Sequence, residues 1–98
     1  MTAPVEITFL IQRDCAFCDH AKDVLRRVGQ DHPLHITEID LAGEEGQQLA
    51  RRAGVMFAPG VLVDGEPFSY GRLSERKLRR ALSKRAAAKT RSETEGTA

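Results

Sequence analysis

The strongest constraint on this chain is a change of hydrophobic period between residues 12 and 16. "VEITFLIQ" (Val5–Gln12) alternates and then becomes continuously apolar, the pattern of a central strand buried on both faces. From Ala16 to Gly29 the apolar residues Phe17, Ala21, Val24, Leu25 and Val28 recur at helical spacing, while Lys22, Asp23, Arg26 and Arg27 face away. "GQDHP" ends that helix, with Gly29 as the expected C-cap and Pro33 shortly after. A second β-rich run, Leu34–Leu41, follows. Strand, helix and strand in this order make a parallel pair with a right-handed crossover.

The rest of the chain extends the unit without repeating it. "EEGQQLARRAGV" reads as a short helix, acidic at its start and basic at its end, and weakened by Gly46. "PGVLVDGEPFSYG" reads as a hairpin: Val61–Val63, an Asp64-Gly65 turn, then Glu66–Tyr70. Pro67 in the second arm marks an edge strand. Ser74 caps a last helix through about Ala88, burying Leu78, Ala81 and Leu82. The element order is β-α-β-α-β-β-α. It predicts one α/β domain over residues 1–89, followed by a disordered polar tail over 90–98.

Both cysteines of the chain, Cys15 and Cys18, stand where the first strand becomes a helix. Three readings compete. As a structural staple the pair closes a tiny loop, and short loops are the least stabilising. As zinc ligands the pair needs two more donors, and the chain has only His20, His32 and His35, with no second cysteine pair. As a reactive dithiol it fits the local physics. The first turn of a helix offers unpaired N–H groups and the positive end of the dipole, both of which stabilise a thiolate. Cys18, one turn on, can hydrogen-bond that thiolate and later attack the mixed disulfide.

Composition narrows the setting. No apolar run is long enough to span a bilayer, and no basic segment precedes the first apolar run as it would in a signal peptide. The expected compartment is the cytoplasm, where paired thiols usually mean metal or redox chemistry. The net charge of +1 conceals an asymmetry. Residues 1–71 hold six Lys or Arg against eleven Asp or Glu, whereas Arg72–Arg91 holds nine basic residues and a single acid, Glu75. Arg76, Lys77, Arg80 and Lys84 read as the solvated face of the last helix. That segment has no interleaved aromatics, which argues against nucleic-acid binding.

"FLIQRDCAFCDHAKDVL", with "GVMFAPGVLVDGEPFSYGRLSERKL" about forty residues later, resembles the glutaredoxin-like branch of the thioredoxin superfamily. The shared pattern is C-x-x-C-D-x-A, then Pro-x-hydrophobic-x-x-Asp-Gly, then Gly-Arg, over about residues 5–85. The resemblance implies a thioredoxin-like, glutaredoxin-like fold: a four-stranded mixed sheet flanked by helices. It implies that Cys15 is the nucleophile and Cys18 the resolving thiol. It further implies a cis peptide before Pro59, with the Ala58 backbone pairing with an incoming peptide or glutathione.

The sequence also departs from that family. Glutaredoxins that grip glutathione usually carry a Lys three before the first cysteine, where this chain has Gln12; a Gly-Gly followed by a polar pair is replaced by "YGRLS". Phe17 replaces the usual Tyr between the cysteines. Arg13 and Arg72 are the candidates to take over anion binding, and Arg13 and Phe17 join Ala58 and Pro59 as expected substrate-binding residues. The implied activity is that of a dithiol–disulfide oxidoreductase acting on a protein or small-molecule disulfide. It would hold no metal and no tightly bound cofactor, and its reductant would be glutathione, another low-molecular-weight thiol or a protein. The chain is expected to be a monomer with no membrane partner. The rival expectation is a non-catalytic interaction or redox-sensing module that docks a partner through its basic last helix. Asp19 and His20 each have an ordinary explanation, the helix dipole for one and a partly exposed helix position for the other.

Overall fold

The computed structural model describes residues 4–96, with side chains described through residue 86. Seven elements follow the expected order: β1 (Val5–Ile11), α1 (Ala16–Gly29), β2 (Leu34–Asp40), α2 (Glu44–Ala53), β3 (Gly60–Val63), β4 (Glu66–Tyr70) and α3 (Glu75–Gly96). α3 continues to Gly96, past the helix end expected at about Ala88 and into the segment expected to be a disordered tail, whose side chains lie outside the described residues.

The sheet order is β2-β1-β3-β4. β1 pairs in parallel with β2 (Ile7 opposite Ile36) and antiparallel with β3 (Phe9 opposite Val61). Being central, β1 is covered on both faces, and Ile7, Phe9 and Leu10 have no exposed surface. β4 is an edge, as Pro67 required. β2 is the other edge and is mostly solvent-facing, with Ile36 exposed at its centre.

Helices cover both faces, because alternate residues of the central strands point opposite ways. On one side Ile7 and Phe9 of β1, with Val61 and Val63 of β3, pack against Ala21, Val24, Leu25 and Val28 of α1 and against Leu78 and Leu82 of α3. On the other, Leu10 and Leu62 meet Leu41, Ala50 of α2, Val55 and Ala58. Cys18 belongs to this second cluster, so the head of α1 reaches over the end of the sheet.

Three local expectations are corrected. Gly29 does not cap α1: the chain continues in right-handed conformation through Gln30, and the Val28 carbonyl accepts from both Asp31 and His32. Gly46 is a steric requirement as well as a weak helix former. A Cβ there would overlap the Asp40 carbonyl oxygen and lie 2.9 Å from Leu41 Cα, so the glycine is what lets α2 approach the end of β2. Ala81 is half-buried, leaving Leu78 and Leu82 as the anchors of α3.

The basic charge on α3 is divided between solvent and fold. Arg79 bridges Asp31 (2.6 Å) and Glu75 (3.0 Å), and Glu75 also takes Arg27 (3.0 Å). Arg85 reaches Asp64 at 2.9 Å, Glu66 at 3.6 Å and the Val63 carbonyl at 3.2 Å, tying α3 to the β3–β4 turn. Arg76, Lys77, Arg80 and Lys84 remain exposed, as a solvated face requires.

Candidate active site

The site lies at the carboxyl end of β1, where Arg13 and Asp14 turn the chain from sheet to helix. Asp14 takes a left-handed conformation (φ 53°), which a short polar side chain tolerates better than most. The turn leaves Cys15 extended (φ −111°, ψ 102°) as the N-cap of α1. Its Sγ accepts from the Cys18 backbone N–H at 3.1 Å, and its carbonyl accepts from Cys18 and Asp19 N–H. A sulfur at this position therefore sits among the unpaired amides that favour negative charge.

The two cysteines have unequal surroundings. Their sulfurs are at disulfide distance, with Cα atoms 5.1 Å apart. Cys15 is half-buried, whereas Cys18 is only 3% exposed and packs with Leu10 and Ala58. The amphipathic phase of α1 causes this difference. Cys18, Ala21 and Leu25 share the inward face, while Cys15 stands on the rim. Among the described residues no three of His, Cys, Asp and Glu come together as a metal site. His35 pairs with Glu6 at 2.8 Å, at the other end of β1 from the cysteines.

The Ala58–Pro59 peptide is cis, and Pro59 is fully buried. Ala58 packs in the same cluster as Cys18, with Cys15 partly buried against it. The structure thus brings Cys15, Cys18, Ala58 and Pro59 to one end of the sheet. Phe17 is 54% exposed beside them. Arg13 is exposed with no ion pair among the described residues. Arg72 lines a groove between α1 and the start of α3.

Sequence reasoning missed the surroundings of Pro59. Met56 (78%), Phe57 (54%) and Tyr70 (42%) are exposed next to it, and the rings of Phe57 and Tyr70 meet edge-to-face with centroids 5.1 Å apart. Gly71 donates its N–H to the Pro59 carbonyl at 2.8 Å. Its φ of 81° excludes most side chains, and a Cβ there would lie 2.9 Å from the Phe57 ring. The available signal was "VMFAPG": two large apolar residues in a loop just ahead of the proline.

A mixed four-stranded sheet with helices on both faces and a C-x-x-C pair at the head of the first helix is a thioredoxin-like fold, and that arrangement supports a general redox role. Within that class, the chain belongs to the family described as Glutaredoxin-like domain (DUF836), whose model matches residues 6–83. No curated protein matches the sequence. Among solved structures it is similar to a mutant thioredoxin from Halobacterium salinarum NRC-1, with a TM-score of 0.63 and 23% identity over 82% of this chain and 73% of that one. It is also similar to a structure described as a malarial protein, with a TM-score of 0.61 and 17% identity over 85% of this chain and 97% of that one. At these identities the likeness concerns the fold. No helix of the described residues is long and apolar enough to cross a membrane.

Proposed function

We propose that the protein is a dithiol–disulfide oxidoreductase. The observation that carries this reading is the asymmetry of the pair: Cys15 is accessible and N-capping, and Cys18 is buried one turn behind it. In the reduced protein the Cys15 thiolate attacks one sulfur of a substrate disulfide. A Cys15–substrate bond forms, the substrate S–S bond breaks, and the departing sulfur leaves as a thiolate that takes up a proton. Cys18 then loses its proton and attacks Cys15 Sγ. The second substrate sulfur is released as a thiol, and the Cys15–Cys18 disulfide remains. Two electrons have passed from the dithiol to the substrate. A thiol reductant, either glutathione, another small thiol or a protein, restores the starting state by the reverse exchange.

The Ala58 backbone and Pro59 form the wall against which the substrate chain lies, with Phe17 and Arg13 at its border. The rival reading is a non-catalytic module docking a partner through α3. It draws support from the exposed Arg76, Arg80 and Lys84, and it requires no turnover.

The two single-cysteine variants distinguish these readings. Cys15→Ser is expected to form no adduct, and Cys18→Ser to hold its substrate as a mixed disulfide, because release then needs an external thiol instead of a tethered one. Non-reducing gels of Cys18→Ser in cell extract check this. Equal behaviour of the two variants, with no turnover of a disulfide substrate by the wild type, would leave the docking reading in place.

A further inference from the structure

Among the described residues the exposed large apolar side chains are Phe17, Ile36, Met56, Phe57 and Tyr70. Ile36 stands apart, opposite Ile7 on the β2 edge. The other four share one end of the sheet. Leu10, near the end of β1, faces Gly60 of β3, and Gly60 faces Tyr70 of β4. The Phe57 ring meets that of Tyr70, Met56 precedes Phe57 in the same loop, and Phe17 falls between the cysteines in sequence. Neighbouring strands are about 4.8 Å apart, so this apolar surface runs about 10 Å from the end of β1 to the outer strand.

The fold holds the two rings in place. Gly71 donates its N–H to the Pro59 carbonyl at 2.8 Å, which ties the loop to the end of β4, and its missing Cβ leaves room for Phe57. Aromatic anchors fixed before a partner arrives need little further ordering on binding. Apolar side chains gathered in water beside a reactive thiol make a docking surface. The loop Val55–Gly60 carries no charged residue, so its side chains offer nothing to the two carboxylates of glutathione.

We infer that the substrate is a protein disulfide with an apolar side chain two residues from the cysteine that Cys15 attacks, and that Met56, Phe57 and Tyr70 select it. This selection presupposes the oxidoreductase reading and uses the Ala58–Pro59 wall. A substrate chain lying extended against that wall advances about 3.4 Å per residue, and its alternate side chains share one face. With its cysteine on Cys15, the side chain two residues along lies about 7 Å away on the same face, within the width of the apolar surface.

The fully reduced, full-length protein is mixed separately with three disulfides. One is oxidised glutathione. The others are short capped peptides, each joined to a second copy of itself through a central cysteine. One carries Phe two residues to either side of that cysteine, and the other carries Ser there. Each reaction converts the protein dithiol to its disulfide and releases two thiols, so no further reductant is needed. The wild type is expected to react about tenfold faster with the Phe peptide than with the Ser peptide, and no faster with glutathione than with the Ser peptide. M56S and F57S together are expected to bring the two peptides within about twofold of each other. I36S, which removes the isolated apolar side chain, keeps the wild-type ratio. Should the double variant lose its fold by circular dichroism, M56S and Y70S are compared singly. Equal peptide rates, a ratio unaltered by the substitutions, or glutathione as the fastest substrate overturns the selection and leaves the oxidoreductase reading standing. No reaction with any of the three disulfides removes both. Sedimentation velocity addresses the other occupant: a wild-type dimer that the double variant loses assigns the surface to a second copy and likewise overturns the selection.

Discussion

The two ends of the sheet are built on different terms. At the amino end of β1, polar groups are committed. Asp64 accepts from the Glu6 N–H at 3.0 Å and pairs with Arg85, while Arg79 fastens α3 to Asp31 beyond the end of α1. At the carboxyl end, Phe17, Met56, Phe57 and Tyr70 are exposed, Arg13 has no ion pair among the described residues, and the cysteine pair lies among them. One end spends its side chains on holding helix to sheet, and the other leaves them available. Binding and chemistry belong where contacts remain unmade, because a side chain already satisfied by the fold has nothing to offer a partner.

The sharpest way to break this contrast is Cys15→Ser. Serine is a favoured N-cap, and its oxygen can accept the Cys18 N–H as the sulfur does, so α1 keeps its first turn. Disulfide turnover is expected to disappear while the circular dichroism spectrum is unchanged. A variant that kept measurable turnover would remove Cys15 from the nucleophile's role.

Gly46→Ala tests whether the carboxyl end also contains tightly determined backbone. Helix propensity alone argues for a gain of up to about 1 kcal/mol. The collision of the new methyl with the Asp40 carbonyl argues for a loss of about 1–3 kcal/mol, and the structure favours the loss, because backbone cannot rotate aside as a side chain can. Urea denaturation reads the sign directly. A stabilised variant would mean that α2 does not approach β2 as closely as described.

Arg85→Ala acts at the opposite end. Its bonds to Asp64, Glu66 and the Val63 carbonyl are partly exposed, so the expected loss is about 1 kcal/mol. Turnover is expected to be unaltered, since the residue lies far along α3 from the dithiol. A large fall in activity with normal stability would show that the two ends are coupled.

The smallest effect concerns acid. Hydrogen bonds from Arg27 and then Arg79 hold the Glu75 carboxyl below its ordinary value of 4.5. A carboxyl lowered in the folded state contributes stability that is present above the unfolded value and is lost as pH falls through the folded one. Thermal melts are expected to show a modest decline below about pH 4.5 that Glu75→Gln reduces. Exposure to solvent keeps the effect small. An identical acid limb in the variant would assign the decline to other carboxylates.

Much of this molecule is legible locally. The period change at residue 12, the C-x-x-C at the head of α1, the Asp64-Gly65 turn and Ser74 as the cap of α3 each depend on neighbours within a few residues, and these four features stand where the sequence placed them, whereas α3 runs to Gly96 instead of ending near Ala88. Pro59 came from a motif resemblance, and the cis peptide is present there. The end of α1 was misread, because a glycine near a helix terminus does not reveal whether the chain turns left-handed or continues to the next carbonyl.

What only the tertiary structure decided is which side chains are already taken. Arg72–Lys84 reads as one basic stretch, yet Arg79 meets Asp31, 48 residues away, and Glu75 meets Arg27 at the same separation. The same folding brings Tyr70 onto the ring of Phe57. Periodicity and capping are encoded along the chain because their interactions span one or two turns. Charge pairing, Gly46 under the Asp40 carbonyl and the groove between α1 and α3 depend on distances between remote segments, which no local pattern contains until the sheet has set them.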